Sequence, residues 1–444
     1  MNHPSGTTNP HLIILDPGHF HASLIQKQMY PGVDAHVSVY GPLAPELLDY
    51  LGRVSLFNNR ATDPTSWTLD IHTSDDPLGD MLRNETAPVG VVVLAGKNRP
   101  KIERVSASVP AGLNVLADKP WIISSSDLGQ LEKTLEAAVQ RRVIAYDIMT
   151  ERYEVTSELQ RELVNTPAVF GEVIRGTEEQ PAIFARSVHY VMKIVSGVPL
   201  RRPAWFFDID EYGEGLADVG THVVDLVQWT AFADQAIDYR KEIDIVDSSR
   251  WPLSLSPTQF AAVTGNEDRE HGLEYFCNNS VHYLVRGVHV RLEISWDWEA
   301  EPGRGDVYEA RFRGTRSTIE IRQGVPENHR PEVYVVPENP ALQAEVLESL
   351  RGAVRDLQSR WPGLSTIESG ESARLVIPES FRVGHEAHFG QVTNRFFEYL
   401  RSPDSLPTWE NPNMLAKYYI TTKGVELGRT AARPAAIGAR ALQN

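Results

Sequence analysis

The first 148 residues alternate short apolar runs with helix-like segments, and this rhythm constrains the fold more than any other feature of the chain. The predicted strands are Leu12–Leu15, His36–Tyr40, Leu69–His72, Val89–Leu94, Asn114–Ala117 and Val143–Tyr146. Helical patterns between them occur around Phe20–Met29, Pro45–Leu51, Lys101–Val109 and Asp127–Gln140. Strands that alternate with helices are typical of βαβ units. The sequence therefore predicts an α/β fold whose N-terminal domain, residues 1–148, is a doubly wound, Rossmann-type parallel sheet.

After Thr150 the pattern changes to a helix at Tyr153–Val164, a strand at Val169–Gly176, and a long β-rich stretch from about Ile243 to Val336. Apolar and polar residues alternate within that stretch, as in Val281–Leu292, Val307–Arg313 and Thr318–Arg322. This alternation predicts an antiparallel sheet with one covered face. Residues 149–444 are therefore predicted to form an α+β domain with a largely antiparallel sheet, which backs a substrate cleft and contributes an interface in a homo-oligomer.

Charge and cysteine content exclude several classes of partner. The chain has 43 Lys and Arg against 59 Asp and Glu, a net charge of −16, and no basic run interleaved with aromatic residues. Nucleic acids and membranes are therefore not expected partners, and a small molecule is. The single cysteine, Cys277, excludes an intrachain disulfide, and no run is apolar enough for a signal or a membrane span, so a cytoplasmic location is expected.

The stretch Leu216–Leu226 places ionisable side chains on one face of an otherwise apolar helix. At about 100° per residue, Asp218, His222 and Asp225 share that face. Such a stripe needs either a buried polar network or a wet cleft as its partner. An Asp near a helix start is often a cap, and a lone His often lies in a core, so the stripe alone leaves a structural and a functional interpretation open.

The turn after the first strand reads Asp16–Pro17–Gly18–His19–Phe20–His21. A dinucleotide site would have Gly-x-Gly-x-x-Gly here, so that the backbone approaches a pyrophosphate, and only Gly18 fits that pattern. An acid opposite a pyrophosphate is electrostatically unfavourable, and the second strand ends at Tyr40–Gly41 without the usual acid for the ribose hydroxyls. Taken alone, this turn is weak evidence for a nucleotide.

The same turn offers a second interpretation, in which Asp16, His19 and His21 bind a metal ion. An Asp-x-x-His-x-His sequence on a turn has no clear fourth ligand elsewhere in the chain. We therefore expect no metal site.

Two further motifs have a characteristic spacing. Asn98 follows the fourth strand, Lys101 comes three residues later, and the fifth strand ends in Asp118–Lys119–Pro120, 17 residues beyond Lys101. This pattern resembles the Gfo/Idh/MocA oxidoreductase family, which carries Thr-Pro-Asn-x-x-His and then Glu-Lys-Pro at the same separation. The family's second domain also contains an Asp-x-x-x-His helix like the one at Asp218 and His222. The resemblance covers most of the chain.

The chain departs from the family pattern at several positions. Asp118 replaces Glu, Lys101 replaces His, and Gly96–Lys97 stands where Thr-Pro is usual. Together with the altered glycine turn, these differences make the chain a divergent member.

The resemblance implies an NAD(P)-dependent oxidoreductase that transfers hydride to or from a secondary hydroxyl of a sugar, glycoside or polyol. The resemblance implies that Lys119 orients and polarises the reacting oxygen, that His222 transfers the proton, and that Asp218 lies beside the substrate. Histidine accepts a proton near neutral pH, and a nearby cation favours alkoxide character in the transition state. Two alternatives stay open: an NAD-recycling glycosidase or epimerase that acts through a keto sugar, and a non-catalytic sugar or nucleotide sensor.

The same resemblance gives the binding residues. The cofactor is NAD or NADP, with NAD preferred because no Arg follows the second strand to bind a 2′-phosphate. Its expected contacts are Asp16, Gly18, His19, Phe20, His21, Tyr40, Asn98, Asp118 and Lys119.

The expected substrate contacts are Arg152, His189, Tyr190 and Trp205. For Arg152 the alternative is a salt bridge at the domain junction. For His189 and Tyr190 the alternative is a position on a helix face, and for Trp205 it is a place in the core. His385 and His388 open a late helix, where they either approach the site or lie in solvent.

Overall fold

Two sheets organise the chain, and the computed structural model describes residues 9–195, 198–301 and 304–431. The first sheet contains β1 (His11–Leu15), β2 (His36–Gly41), β3 (Thr68–Thr73), β4 (Gly90–Leu94), β5 (Asn114–Ala117) and β6 (Ala145–Asp147). All neighbouring strands are parallel, in the order β3-β2-β1-β4-β5-β6, so the strand order reverses between β1 and β4. The predicted doubly wound N-terminal sheet is confirmed.

The central strands of this sheet are apolar on both faces. Every residue of Gly90–Leu94 and of Asn114–Ala117 is buried, whereas the edge strand Thr68–Thr73 is largely exposed. A parallel strand covered by helices on both sides reads as a continuous apolar run. The apolar runs in the sequence therefore predicted strands β4 and β5.

Five helices accompany the first sheet: α1 (His21–Leu24), α2 (Pro45–Asn59), α3 (Pro77–Asn84), α4 (Lys101–Ser108) and α5 (Leu128–Arg141). Helix α1 has four residues and is shorter than the predicted segment Phe20–Met29. Helix α3 was not predicted, although the Asp76 side chain accepts a hydrogen bond from the Gly79 amide at its N-terminus. Pro77 at the first helical position completes this start signal.

The second sheet has nine strands in the order β10-β11-β12-β7-β13-β14-β15-β17-β16. Its strands are β7 (Ile183–Met192), β10 (Ile243–Leu255), β11 (Leu273–Val285), β12 (Val288–Glu299), β13 (Val307–Arg313), β14 (Ser317–Arg322), β15 (Glu332–Pro337), β16 (Ser365–Ser369) and β17 (Ser372–Val376). Two short strands, β8 (Ile194–Val195) and β9 (Val198–Pro199), pair only with each other. Only the β7/β12 pair within the nine-stranded sheet is parallel. The predicted, largely antiparallel second sheet is confirmed.

One local prediction was wrong in this region. Residues Val169–Gly176 form no strand, because Gly171 (φ +78°) and Gly176 (φ +68°) adopt left-handed conformations that turn the chain. The alternating run Val281–Leu292 is not one strand but the two arms of the β11/β12 hairpin. Its turn contains Arg286 and Gly287, both with positive φ.

The remaining helices are α6 (Val155–Val164), α7 (Gly215–Ala231), α8 (Tyr239–Glu242), α9 (Pro257–Thr264), α10 (Gln343–Leu357), α11 (His385–Arg401) and α12 (Glu410–Thr430). Helix α7 packs directly on the second sheet. A Cβ atom on Gly215 would lie 1.8 Å from the Cys277 carbonyl oxygen of β11, so only glycine permits this approach. None of the helices in the described ranges has the length and apolar character needed to cross a bilayer.

Helix α11 belongs by sequence to the predicted second domain, but it packs against the first sheet. Its residues Phe389, Val392 and Phe396 belong to the apolar core that also contains Leu12 and Ile14 of β1. A helix late in the sequence therefore completes the core of the first sheet. It also brings its N-terminus to the carboxyl ends of the strands.

Candidate active site

Lys119 and Asp218 meet where the two sheets face each other. Lys119 follows β5, Asp218 lies in the first turn of α7, and the Lys119 ammonium donates a hydrogen bond to the Asp218 carboxylate. The side chains are 8% and 5% exposed. Burial alone would lower the pKa of Lys119, but the Asp218 carboxylate raises this pKa above its ordinary value. The lysine is therefore a fixed positive charge at physiological pH.

His222 lies one helical turn after Asp218 on α7. Its Nδ1 atom is buried and has no hydrogen-bond partner in the described part of the chain. Burial lowers the pKa of His222 well below 6.5, and the Lys119 charge adds to this effect. The imidazole is therefore neutral at physiological pH, with a lone pair that can accept a proton.

Asp225, the third residue of the helix stripe, belongs to a buried ion network. The Arg152 guanidinium donates to both Asp225 oxygens at 2.6 and 2.8 Å and to Glu410 at 2.8 Å. Lys417 lies 3.0 Å from both Asp225 and Asp147. Each terminal group of Arg152 thus has a carboxylate partner, which favours the junction salt bridge over a substrate contact.

The turn after β1 is packed against the loop after β4. The Gly18 and His19 amides both donate to the Ala95 carbonyl, at 3.0 and 3.1 Å. The Asp16 carboxylate pairs with the Arg104 guanidinium of α4. Asp16 therefore pairs with Arg104 and is not grouped with the two histidines, as the metal-binding interpretation of this turn would require.

The two histidines of this turn face Asp118 instead. His21 Nδ1 lies 2.8 Å and His19 Nδ1 3.8 Å from the Asp118 Oδ2 atom. All three side chains are about nine-tenths buried. Burial is the main reason that the pKa of both imidazoles falls well below 6.5. The glycine turn of a dinucleotide fold is thus replaced here by a His-His-Asp cluster.

Asn98 and Lys101 brace the end of β5. The Lys101 ammonium donates to the Asn98 side-chain oxygen and to the Asp118 main-chain oxygen, both at 2.7 Å. The Asn98 amide donates to the Tyr212 carbonyl at 2.7 Å. Burial lowers the pKa of Lys101 to about 8. Both ends of the Asn98 side chain are therefore engaged, and its bond to Tyr212 links the first predicted domain to the second.

A cleft of about 430 Å³ opens at the carboxyl ends of β1, β2 and β4. Its glycines, cations and acids include Gly18, Gly41, Lys97, Arg99, Arg104, Asp16, Glu46 and Glu103. Trp205 also lines this cleft and donates to Glu46 at 3.0 Å. A Cβ on Gly18 would lie 3.3 Å from both the Trp205 ring and the Gly96 Cα, so the turn and the indole fit closely only around a glycine.

Of the nine expected cofactor contacts, Asp16 and Gly18 line this cleft, and the other seven, among them Tyr40 and Phe20, lie outside its lining. The Tyr40 hydroxyl donates to Glu85 at 2.8 Å, and its ring stacks on His72 with centroids 4.5 Å apart. Phe20 packs beneath the Arg53 guanidinium, 5.8 Å from its ring centroid. Sequence reasoning missed Glu46, which lies in the first turn of α2 and lines this cleft.

His189 lies on β7, not on a helix, and forms a cluster with residues distant in sequence. Its Nδ1 atom lies 2.7 Å from Asp306, which also accepts from Lys193. Burial alone would raise the pKa of Asp306, but the His189 and Lys193 side chains lower it. Tyr190 follows on the strand, so its side chain points to the opposite face of the sheet. Asp306 gave no signal in the sequence, because it lies in an irregular segment before β13.

The histidines at the start of α11 differ in environment. The His385 ring lies 5.6 Å from that of His21, so it adjoins the cluster on the turn after β1. His388 is almost completely buried, and neither ring nitrogen has a hydrogen-bond partner among the described residues. The only sequence signal that His385 approaches the turn after β1 was its i, i+3 spacing with His388.

Comparison with known proteins places the chain among oxidoreductases. Residues 159–429 match the family described as "Putative oxidoreductase C terminal domain". A "putative oxidoreductase" from Parabacteroides merdae is 41% identical over 95% of this chain and 98% of its own, with a TM-score of 0.91. No curated protein matches the sequence.

More distant structures share the fold. Levoglucosan dehydrogenase in complex with NADH is 13% identical, with a TM-score of 0.61 over 95% of this chain and 97% of its own. An oxidoreductase structure from Thermotoga maritima is 15% identical, with a TM-score of 0.60 over 95% and 98%. At this level of identity, the similarity establishes the architecture of both domains.

Proposed function

Because the chain belongs to the Gfo/Idh/MocA-type oxidoreductases, we propose that it transfers hydride between NAD and a secondary hydroxyl of a sugar, glycoside or polyol. In this proposal Lys119 polarises the reacting oxygen, His222 takes the hydroxyl proton, and Asp218 holds the lysine and contacts the substrate. The observation that carries the proposal is the buried Lys119–Asp218 pair with His222 one turn further along the same helix.

The chemistry follows from the charges of these groups. A fixed ammonium beside the substrate oxygen favours the alkoxide that develops as hydride leaves carbon. A neutral imidazole accepts the hydroxyl proton in one direction and, as imidazolium, returns it in the other. The low pKa of His222 ensures that the accepting form predominates at physiological pH. A bound nicotinamide would accept or supply the hydride.

The cleft beside Gly18 fits the adenosine diphosphate half of a dinucleotide. It lies where the strand order of the first sheet reverses, which is the position of ligands in open α/β sheets. The amides of Gly18 and His19 are already bonded to Ala95. We therefore assign the diphosphate to the side chains of Lys97, Arg99 and Arg104 in place of the usual backbone amides.

Glu46 favours NAD over NADP in this assignment. It lies in the cleft at the start of α2, five residues after β2 ends, together with Asp16 and Glu103. A carboxylate accepts hydrogen bonds from ribose hydroxyls, whereas it repels a 2′-phosphate. The Glu46→Arg variant is therefore expected to bind NADPH better relative to NADH.

The substrate assignment is supported by chemistry found in proteins of the same fold. Levoglucosan dehydrogenase has been crystallised with NADH and levoglucosan or L-sorbose, and GenD2 with NAD. In this chain the substrate would lie between Lys119 and the His189–Lys193–Asp306 cluster. These side chains provide both donors and acceptors for sugar hydroxyls.

The test has two stages. Titration of the purified chain with NADH and NADPH, followed by fluorescence, should show binding with NADH preferred. Levoglucosan, L-sorbose, glucose and polyols are then tested with NAD for the absorbance of NADH, in wild type and in the Lys119→Met and His222→Asn variants. Absence of binding by both nucleotides contradicts the proposal, as does turnover that both variants retain. Sugar consumption without accumulation of NADH would favour internal recycling of the cofactor.

A further inference from the structure

We propose that His19, His21 and Asp118 bind a divalent first-row transition-metal ion. One potential ligand atom from each of the three side chains lies within 4.8 Å of the other two. The site occupies the turn where the family resemblance implies a glycine-rich cofactor loop. This binding is independent of the proposed hydride transfer, because it requires neither a nucleotide nor a sugar.

The separations suit a single ion. Imidazole nitrogens and carboxylate oxygens bind Zn²⁺ at about 2.0–2.2 Å, so two ligands of one ion lie at most about 4.2 Å apart. The Asp118 Oδ2 atom is 2.8 Å from His21 Nδ1 and 3.8 Å from His19 Nδ1. Both distances fall within that limit, and the two imidazole ligand atoms lie within 4.8 Å of each other.

The backbone holds the three ligands on well-ordered elements. The Asp118 amide donates to the Leu94 carbonyl at 2.8 Å, and the His19 amide donates to the Ala95 carbonyl at 3.1 Å. The turn after β1 and the end of β5 are thereby fixed to the loop after β4. His19 Nδ1 has no hydrogen-bond partner among the residues described, although it is buried. In the tautomer that carries its proton on Nε2, this buried nitrogen is available to a metal ion.

Asp118 supplies the negative charge of this site, and the charges of Lys119, Lys101 and Lys193 are also felt there. In the described ranges, the buried Asp118 carboxylate has only imidazole nitrogens as ion-pair partners within 4.0 Å. Lys119 directs its ammonium to Asp218, and Lys101 bonds the Asp118 main-chain oxygen, not the carboxylate. The Asp118 Oδ1 atom accepts a hydrogen bond from the Lys119 amide at 3.0 Å, and Oδ2 faces the two imidazoles. A divalent ion would bond this Oδ2 atom and both imidazoles at the same time.

The ligand types select the class of metal. Two imidazoles and one carboxylate suit Zn²⁺, Fe²⁺, Co²⁺ or Mn²⁺, whereas Mg²⁺ and Ca²⁺ prefer sites made wholly of oxygen. Three protein ligands leave at least one coordination position for water or another ligand, as in catalytic metal sites. His385, whose ring is 5.6 Å from that of His21, is the nearest additional imidazole.

Cobalt binding tests the proposal directly. Tag-free full-length protein, stripped with EDTA, is titrated with Co²⁺ and followed by visible absorption. Wild type should bind one equivalent with d–d bands of nitrogen and oxygen ligation, and Zn²⁺ should displace it. The His21→Ala and Asp118→Asn variants should lose this signal or bind more than about tenfold more weakly, as expected for loss of a ligand.

His36→Ala is a matched control. His36 also lies beside an aspartate, with its Nδ1 atom 3.3 Å from Asp34, but the pair is exposed on the first sheet, and this variant should bind Co²⁺ like wild type. Wild-type protein without stoichiometric binding overturns the proposal whether or not the variants fold, as do unchanged spectra in folded His21→Ala and Asp118→Asn. NADH titration of the EDTA-treated protein reports on the proposed function separately.

Discussion

The Lys119 ammonium and the Asp218 carboxylate form a buried ion pair between two residues 99 positions apart in sequence. Lys119 follows strand β5 of the first sheet, and Asp218 lies in the first turn of helix α7, which packs on the second sheet. This hydrogen-bonded pair holds the lysine ammonium in a defined position in the site. Preorganisation of this kind lowers the cost of orienting a charge toward the reacting oxygen.

Replacement of Lys119 by Met should destabilise the fold as well as abolish turnover. The substitution leaves the Asp218 carboxylate buried without its cation, which costs about 3–5 kcal/mol in comparable buried pairs. The free energy of unfolding, measured by urea denaturation, should fall accordingly. The double variant Lys119→Met, Asp218→Leu should recover much of the loss, because no unpaired charge remains. A double variant no more stable than Lys119→Met would show that the pair is not the source of the effect.

Replacement of His222 by Asn should affect catalysis far more than stability. The variant keeps a polar side chain of similar size but cannot act as a base, so kcat should fall by about 10²–10⁴-fold. The value is measured on whichever sugar is turned over, at saturating NAD. His36→Gln, at an exposed position, should retain wild-type kcat. A kcat for His222→Asn close to that of wild type would remove His222 from the proton transfer.

Much of the fold follows from local patterns. The strands of the first sheet were predictable because burial on both faces makes Gly90–Leu94 and Asn114–Ala117 continuous apolar runs. The helix that carries Asp218 and His222 was predictable because a four-residue spacing places both on one face. The strand expected at Val169–Gly176 failed because the backbone conformation of its two glycines is not visible in apolar periodicity.

The parts of the site that escaped prediction depend on contacts between distant segments. Asp118, not Asp16, faces His19 and His21, because Arg104 draws the Asp16 carboxylate to the other side of the turn. The loop that brings Asp306 to His189 has no regular pattern that marks its position. Such pairings depend on how whole elements dock, and the spacing within one element does not encode them.

Replacement of Arg152 by Met should lower stability without weakening NADH binding. The variant leaves the buried carboxylates of Asp225 and Glu410 without their shared guanidinium, at a cost of about 3–5 kcal/mol. Thermal unfolding measures this loss. Arg240→Met is the matched control, because Arg240 makes an equally close pair with Glu132 but at the surface, where little change in Tm is expected. Equal effects of the two substitutions would contradict the structural role assigned to the buried pair.

His388 should make the fold sensitive to acid. Burial lowers the pKa of this side chain from 6.5 to about 4. The unfolded chain therefore binds a proton near pH 6.5 while the folded chain does not, and stability is lost as pH falls from about 6.5 towards about 4. The full loss from this residue is up to about 3 kcal/mol.

The His388→Gln variant tests this pH dependence. Its Tm should fall less than that of wild type between pH 7.5 and pH 5, since Gln does not titrate. His36→Gln, which removes an exposed histidine, should show the wild-type difference. An unchanged pH dependence in His388→Gln would assign the acid sensitivity to other groups, such as the buried imidazoles of His19, His21 and His222.

Replacement of Gly215 by Ala should disrupt the site through the position of α7. The added Cβ would lie 1.8 Å from the Cys277 carbonyl oxygen, which is a backbone atom of β11 and cannot rotate away. The helix must therefore shift, and Asp218, three residues later, moves relative to Lys119. We expect a loss of stability of at least about 1–3 kcal/mol, as in other overpacked cores, together with reduced kcat. Gly52→Ala is the control, because no atom lies within 4 Å of its added Cβ and alanine favours the surrounding helix α2 by about 0.5–1 kcal/mol. A Gly215→Ala protein with wild-type Tm and kcat would show that α7 is not held against β11 as closely as this contact requires.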